Sequence, residues 1–243
     1  MLKYLKAENL KYKRTIIKKL IILNPIITIL IALLSPIWFE INSYNFWYII
    51  ILPGTLTLMT TLVIQKEEKK LSYRAIYSLN INLKKIWITK IILIIEYLLI
   101  SHIILITLIK ITGYILKLPI NISITQGLIA SIIMIITISW QIPFSMFLYK
   151  KIKVAGTLLI NFGLGFFLNI LIVDSKLWFL SPYTLTSRSM AAFLKINPNG
   201  TPLQKGNPLA NPISIPITII LSTLILIILT FITSNWFKTQ EAK

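Results

Sequence analysis

The stretch IWITKIILIIEYLLISHIILITLI, residues 86–109, decides how the whole chain is read. As a helix rising 1.5 Å per residue it is long enough to cross ~30 Å of hydrocarbon. A barrel strand would be shorter and would alternate polar with apolar positions. Isoleucine is a poor helix former in water, but lipid offers the backbone no other partner and so imposes helix on any apolar run. Five more runs of this kind flank it: Leu20–Phe39, Phe46–Ile64, Ile122–Leu148, Val154–Val173 and Ile213–Phe237. The expected fold is therefore an all-α polytopic membrane protein with six transmembrane helices between residues 20 and 237. A cytoplasmic amphipathic helix over 1–19 precedes them. A cytoplasmic loop over 65–85, an extracellular loop over 174–212 and a tail over 238–243 complete the division.

Composition agrees. Of 243 residues, 56% are hydrophobic and 13% charged, with 25 Lys and Arg against 7 Asp and Glu and a net charge of +18. Nucleic-acid modules and disordered tails join high charge to low hydrophobicity, the opposite mix, so no nucleic-acid partner is expected. The absence of cysteine excludes a disulfide scaffold, thiolate zinc and a cysteine nucleophile. One histidine does not make a histidine metal cluster. The basic region ahead of the first apolar run lacks a small-x-small cleavage site after it, so Leu20–Phe39 is read as a retained span.

The surplus positive charge is a topology signal. Nineteen of the 25 Lys and Arg fall in the N-terminus, residues 65–90, residues 149–153 and the C-terminus. Lys90 is counted there as a loop charge. The alternate loops hold only Lys110, Lys117, Lys176, Arg188, Lys195 and Lys205. This places both termini in the cytoplasm, with the chain multi-pass in the membrane. Trp38, Trp47, Trp87, Trp178 and Trp236 fall at span ends, where indole prefers the interface. Trp140 lies inside a run and is expected to face another helix.

The segments between spans carry the remaining signals. In residues 1–19, Leu2, Leu5, Tyr12, Ile16 and Leu20 share one helical face, with Lys3, Lys11, Arg14 and Lys18 opposite. Such a helix rests on the anionic leaflet as an anchor or elbow. Glu8, the lone acid there, is placed to pair with Lys11 or Tyr12 one turn on. In the 65–85 loop Tyr73, Ile76 and Tyr77 form an apolar face at i, i+3, i+4. That face needs cover from the bilayer surface, from this chain's own spans or from another protein. The outer loop holds Pro182, Pro198, Pro202, Pro208 and Pro212, with dense turn formers at 197–202 and short helices expected at the outer surface over 181–194. Within the runs, Glu96 and His102 are the ionisable residues, six positions apart and on different faces. They serve either a transport path or packing. Asn24-Pro25, Pro53-Gly54 and Pro143 should kink their helices, and Asn161, Gly163, Gly165 and Asn169 form a small and polar helix-contact face.

No nucleotide-binding loop, Gly-x-Ser-x-Gly elbow or His-Glu-x-x-His motif occurs, so the chain is not expected to be an enzyme. Glu67-Glu68 is similar to the glutamate pair of intramembrane CAAX-type proteases. Arg74 has the wrong spacing and the further histidines are missing, which rejects that reading.

An N-terminal amphipathic helix, six spans, a loop after the second and a short-helix loop before the sixth resemble the type 2 ABC exporter permeases over the whole chain. Ala-Glu-Asn-Leu-Lys-Tyr-Lys-Arg-Thr (7–15) resembles the opening of the lantibiotic-immunity permeases. Trp-Phe-Leu-Ser-Pro-Tyr (178–183) with Asn-Pro-Asn-Gly-Thr-Pro-Leu (197–203) is similar to their outer loop. The resemblance implies a permease subunit that expels a lantibiotic or bacteriocin-like peptide from the membrane for self-immunity. It would work with a dimer of a separate ATPase carrying ATP and Mg, and with a second related permease or itself. It would bind no cofactor of its own, and membrane lipid would surround it. On that model Tyr73, Arg74, Ile76, Tyr77 and Leu79 belong to a coupling helix, and Glu8, Lys11 and Arg14 to the elbow. Trp178, Pro182, Tyr183, Asn199 and Gly200 belong to the outer gate or peptide contact. A same-fold permease for another amphipathic compound, or an immunity scaffold without ATP coupling, stands as the alternative.

Overall fold

The computed structural model describes residues 1–69 and 82–239. Among them the extended regular structure is helical, apart from one isolated bridge between Ile196 and Pro202. Four helical stretches are long and apolar enough to cross a membrane: Pro36–Lys69, Leu83–Ile115, Ile124–Ile172 and Ser214–Lys238. The first two helices, bent by 82° against each other, make a fifth if taken together.

Those first two are α1 (Leu2–Lys11) and α2 (Ile16–Ala32). The expected single helix over 1–19 is thus broken, and Arg14 lies in the turn while Lys18 falls in the first turn of α2. Tyr12 makes the break. Its ring is fully buried, its hydroxyl reaches Val63 O (3.5 Å), and Thr15 stands extended before Ile16. The inward face of α1 also differs from the expected one. Leu2 is 77% exposed, whereas Glu8 is the residue of α1 that is buried.

The helix α2 ends at Ala32, short of the expected Phe39, because Pro36 restricts the residue before it and Ser35 leaves helical geometry. Phe39 instead opens α3 (Phe39–Phe46). A π-helical turn over Trp47–Ile51 joins α3 to α4 (Leu52–Lys69). Pro53 has no N–H to offer the carbonyl four residues back, and the chain widens there instead of breaking.

The stretch that opened the reading becomes α5 (Leu83–Ile115), capped by Asn82 Oδ1 on Lys85 N and closed where Lys117 turns left-handed. After a Ser123/Gln126 capping box come α6 (Ile124–Ile138) and α7 (Gln141–Thr157). Within α7, Lys153 adopts φ 59 and ψ −166 and the chain folds back. Asn161 Nδ2 consequently bonds Ser145 Oγ (2.9 Å) and Gln141 Oε1 (3.1 Å), residues that a straight helix would hold ~24 to 30 Å away. A second π-helical turn, Leu158–Leu164, leads into α8 (Gly165–Ile172).

Short helices do form over 181–194, a 3-10 turn at Pro182–Thr184 and an α-helix after it, but they are packed into the protein and do not lie along its outside. The helix α9 (Leu185–Leu194) is buried from Leu185 to Ala192 and packs against α6 and α10 (Ser214–Lys238). Tyr183, just before it, returns to the level of Asn161 and Gly165. Residues 181–192 therefore fold into the bundle, where their apolar and hydroxyl side chains fill a gap between helices, while residues 174–177, Phe179 and Leu180 stay exposed.

The bundle turns aliphatic side chains outward and many polar ones inward. Ile22, Ile26 and Leu30 of α2 and Ile220, Leu224, Ile227 and Phe231 of α10 are exposed, while Thr57, Thr60, Ser101 and Ser145 are fully buried. Such an arrangement suits hydrocarbon, where small polar residues bond between helices.

Candidate functional site

At the end of the bundle bearing Lys66, Lys153 and Lys238, α1, α4 and α5 are tied by a buried ion cluster. Lys90 of α5 is fully buried and lies 2.6 Å from Glu8 Oε2 and 2.8 Å from Glu67 Oε1. Lys11 bridges the same two carboxylates, at 2.8 Å from Glu67 and in closer contact with Glu8. Tyr12 donates to Glu8 Oε2 (3.4 Å), and Lys66 Nζ donates to the Lys11 carbonyl. Burial raises the Glu8 carboxyl, but the ammonium groups of Lys90 and Lys11 outweigh it and hold the group below its ordinary value. Beside the cluster Glu68 accepts from Tyr149 (2.5 Å) and Lys153 (2.6 Å), which ties α4 to α7. Three of the chain's seven acids thus sit where its helices converge.

Glu8 does reach Lys11 and Tyr12, but as part of a buried cluster and not as a surface pair. Lys90, counted in sequence as a loop charge, is its centre. The available signal was a lysine inside an apolar run, which has to find a carboxylate. Arg14 is exposed.

Glu96 and His102 stay apart, as their spacing required. Glu96 is half-buried, with no hydrogen bond or ion pair among the described residues. Its neighbour Tyr97 bonds Asn9 of α1 (2.9 Å) and lies under Lys18 Nζ (5.7 Å), level with the start of α2. His102 is buried; its Nε2 accepts from Trp47 Nε1 (3.0 Å) and its Nδ1 lies 2.8 Å from Leu98 O. The proton is therefore on Nδ1 and the ring packs as a neutral strut. Trp47 is fully buried in this pair, which corrects its placement at an interface.

A second polar group lies inside the bundle. Asn161 Nδ2 donates to Thr57 Oγ1 (2.7 Å) as well as to α7, and Tyr183 OH reaches Asn161 Oδ1 (3.4 Å). Around it a chamber of about 20 Å³ is lined by Tyr48, Gln141, Asn161, Asn169, Tyr183 and Ser187 among others. That is room for about one water molecule. Both π-helical turns border it, through Tyr48 and Asn161.

The re-entrant segment forms one wall. Gly165 admits the Tyr183 ring, where a Cβ would sit 2.5 Å from it, and Trp140 meets the same ring edge-on at 5.0 Å. Arg188 of α9 is 9% exposed, donates from Nη1 to Val173 O (3.3 Å) and stacks over Trp178 at 5.2 Å. Burial pushes its guanidinium down, and the nearby Asp174 carboxylate opposes this.

The residues expected at an outer gate are split. Trp178 is buried under Arg188, Pro182 starts a 3-10 turn, and Tyr183 faces the chamber. Asn199 and Gly200 lie on a separate turn, closed by Asn199 Oδ1 on Thr201 (2.8 Å) and by the left-handed Gly200. Asn45 Nδ2 holds that turn through the Asn197 and Pro198 carbonyls, both at 3.2 Å. Tyr73, Arg74, Ile76, Tyr77 and Leu79 lie outside the described residues. Among the described residues no group of three His, Asp or Glu is arranged to hold a metal. No family model, no curated protein and no solved structure matches the chain.

Proposed function

We propose that the chain is the permease subunit of an ABC exporter that expels a lantibiotic or bacteriocin-like peptide, driven by a separate ATPase dimer. The observation that carries the reading is the joint between α1 and the bundle. An amphipathic helix bent 82° from α2 is bolted to the end of α4 through Glu67, immediately before the 65–85 loop continues. Movement of that loop by a docked ATPase would pass through Glu67 and Lys90 into α1 and α5. Counting α2 as a span and the reversal at Lys153 as a hairpin gives six crossings with both termini cytoplasmic, in a bacterial membrane. The second permease is a related chain or another copy.

The test is co-expression with an ATPase partner in a peptide-sensitive host. Assembled complex should lower sensitivity, and Tyr73→Ala with Tyr77→Ala should abolish the protection. Unchanged sensitivity with the complex verified as assembled would sink the immunity role. If no ATPase co-purifies and the Tyr73 and Tyr77 variants keep function, an immunity scaffold without ATP coupling is the correct reading.

A further inference from the structure

Lys84, at the start of α5, is half-buried and has no ion pair among the described residues. It stands at the end of an open groove of about 470 Å³ between α5 and α10, both long and apolar enough to cross a membrane. That volume is in the size range of a small-molecule site. The wall on α5 is one helical stripe, Lys84, Ile88, Ile91 and Ile95 at i, i+4, i+7 and i+11, with Ile92 beside it. Opposite it α10 contributes Leu226, Ile227, Thr230, Phe231 and Ser234. The two helices are locked together near the Lys84 end. There Trp87 Nε1 donates to Thr233 Oγ1 (2.9 Å) and the indole stacks on Phe237 at 4.6 Å.

Length, charge and one hydroxyl say what fits this groove. From Lys84 to Ile95 it runs ~17 Å at the helical rise of 1.5 Å per residue, about the depth of one leaflet of a ~30 Å hydrocarbon layer. Among the described residues Lys84 is the one charged group lining it, and it sits at the mouth. Thr230 lies on the wall between that mouth and the apolar floor. Its neighbour Thr233 returns its hydroxyl to the Leu229 carbonyl (2.7 Å), whereas the Thr230 hydroxyl makes no hydrogen bond among the described residues. A hydroxyl facing hydrocarbon gains from an acceptor. An anion at the surface, an acceptor a turn or two below it and an aliphatic tail beneath are the phosphate, ester carbonyl and acyl chain of a phospholipid. A second copy of the chain fits less well, because it would set its own basic end, part of a net charge of +18, against Lys84.

We propose that the groove between α5 and α10 is a binding site for one anionic phospholipid of the leaflet at the Lys84 end. The acyl chain lies along Ile88, Ile92 and Ile95 against Phe231, Lys84 pairs with the headgroup phosphate, and Thr230 donates to an ester carbonyl. The site does not rest on the exporter reading, since it requires only that α5 and α10 lie in a bilayer.

The experiment follows the thermal unfolding midpoint of the purified full chain in detergent as phosphatidylglycerol or phosphatidylcholine of the same acyl composition is added. Phosphatidylglycerol should raise the midpoint saturably, at concentrations about fivefold or more below those phosphatidylcholine needs. Lys84→Gln should erase that difference, while Lys6→Gln, an exposed lysine of α1, should keep it. Ile92→Trp, which fills the groove, should remove the saturable shift by either lipid. If that variant does not fold, Thr230→Val keeps the shape without the hydroxyl and should weaken both lipids by about fivefold. Equal responses to the two lipids would overturn the proposal, as would identical behaviour of Lys84→Gln and Lys6→Gln. A dimer seen by light scattering, indifferent to lipid and split by Ile92→Trp, would overturn it in favour of an interface between copies.

Discussion

At the scale of single residues, Lys90 shows how a charge survives in an apolar helix. Its ammonium is fully buried, yet Glu8 and Glu67 neutralise it, and Lys11 balances the second carboxylate. Removing Lys90 leaves two buried carboxylates to share the single ammonium of Lys11. Lys90→Met should therefore destabilise the protein by about 3–5 kcal/mol, measured by thermal unfolding in detergent. The triple change Lys90→Met, Glu8→Gln, Glu67→Gln should recover most of that loss. The cluster also sets a pH dependence. The Glu8 carboxyl titrates below its ordinary value of 4.5 in the folded chain. Its contribution is therefore complete above that value and fades as pH falls through the lower folded value. The unfolding midpoint should hold steady from neutrality to about pH 5 and drop below it, and Glu8→Gln should flatten the drop. A native-like acid limb in Glu8→Gln would assign the pH response elsewhere. Glu8 and Lys11 were legible from sequence because a helix brings residues three and four apart together. Lys90 and Glu67 were not, since nothing local sets which distant helix a buried cation will meet.

At the scale of elements, the re-entrant segment is held by a close approach at one glycine. A Cβ on Gly165 would lie 2.5 Å from the Tyr183 ring, whereas one on Gly163 would meet only the Leu158 carbonyl at 3.9 Å. The pair makes an internally controlled test. Gly165→Ala should push Tyr183 aside, cost about 1–3 kcal/mol and change the fluorescence of Trp140, which touches that ring. Gly163→Ala should be neutral or slightly stabilising, because alanine is the better helix former. Equal effects from the two changes would remove the close approach as the reason for the difference. The prolines and turn formers of 174–212 marked an irregular connection in sequence. That its middle folds inward, with α9 buried on nearly every side, depends on the gap left between α6, α8 and α10. The same holds for Trp47, whose indole finds His102 inside the bundle and leaves the interface its position implied.

At the scale of the whole molecule, the testable matter is which end faces the cytoplasm. The chain has no cysteine, so single cysteines report accessibility without interference. Cysteine at Asn199, on the exposed turn beside α3, should react with an impermeant label added to intact cells, and cysteine at Thr239 should not. The reverse pattern would invert the assignment. Much of this architecture was open to inspection in the linear chain. Apolar runs of bilayer length determine helix, and alternation of positive charge between loops determines a preferred orientation, because both depend on composition over tens of residues. The tertiary structure alone decided what those helices do with their few polar groups. It broke the first amphipathic segment at Tyr12 and joined Glu8 to Lys90. It also brought Tyr183 back to Asn161 and stacked the buried Arg188 over Trp178. Hydropathy is a sum over neighbours in sequence, whereas pairing a buried charge depends on which helices become neighbours in space.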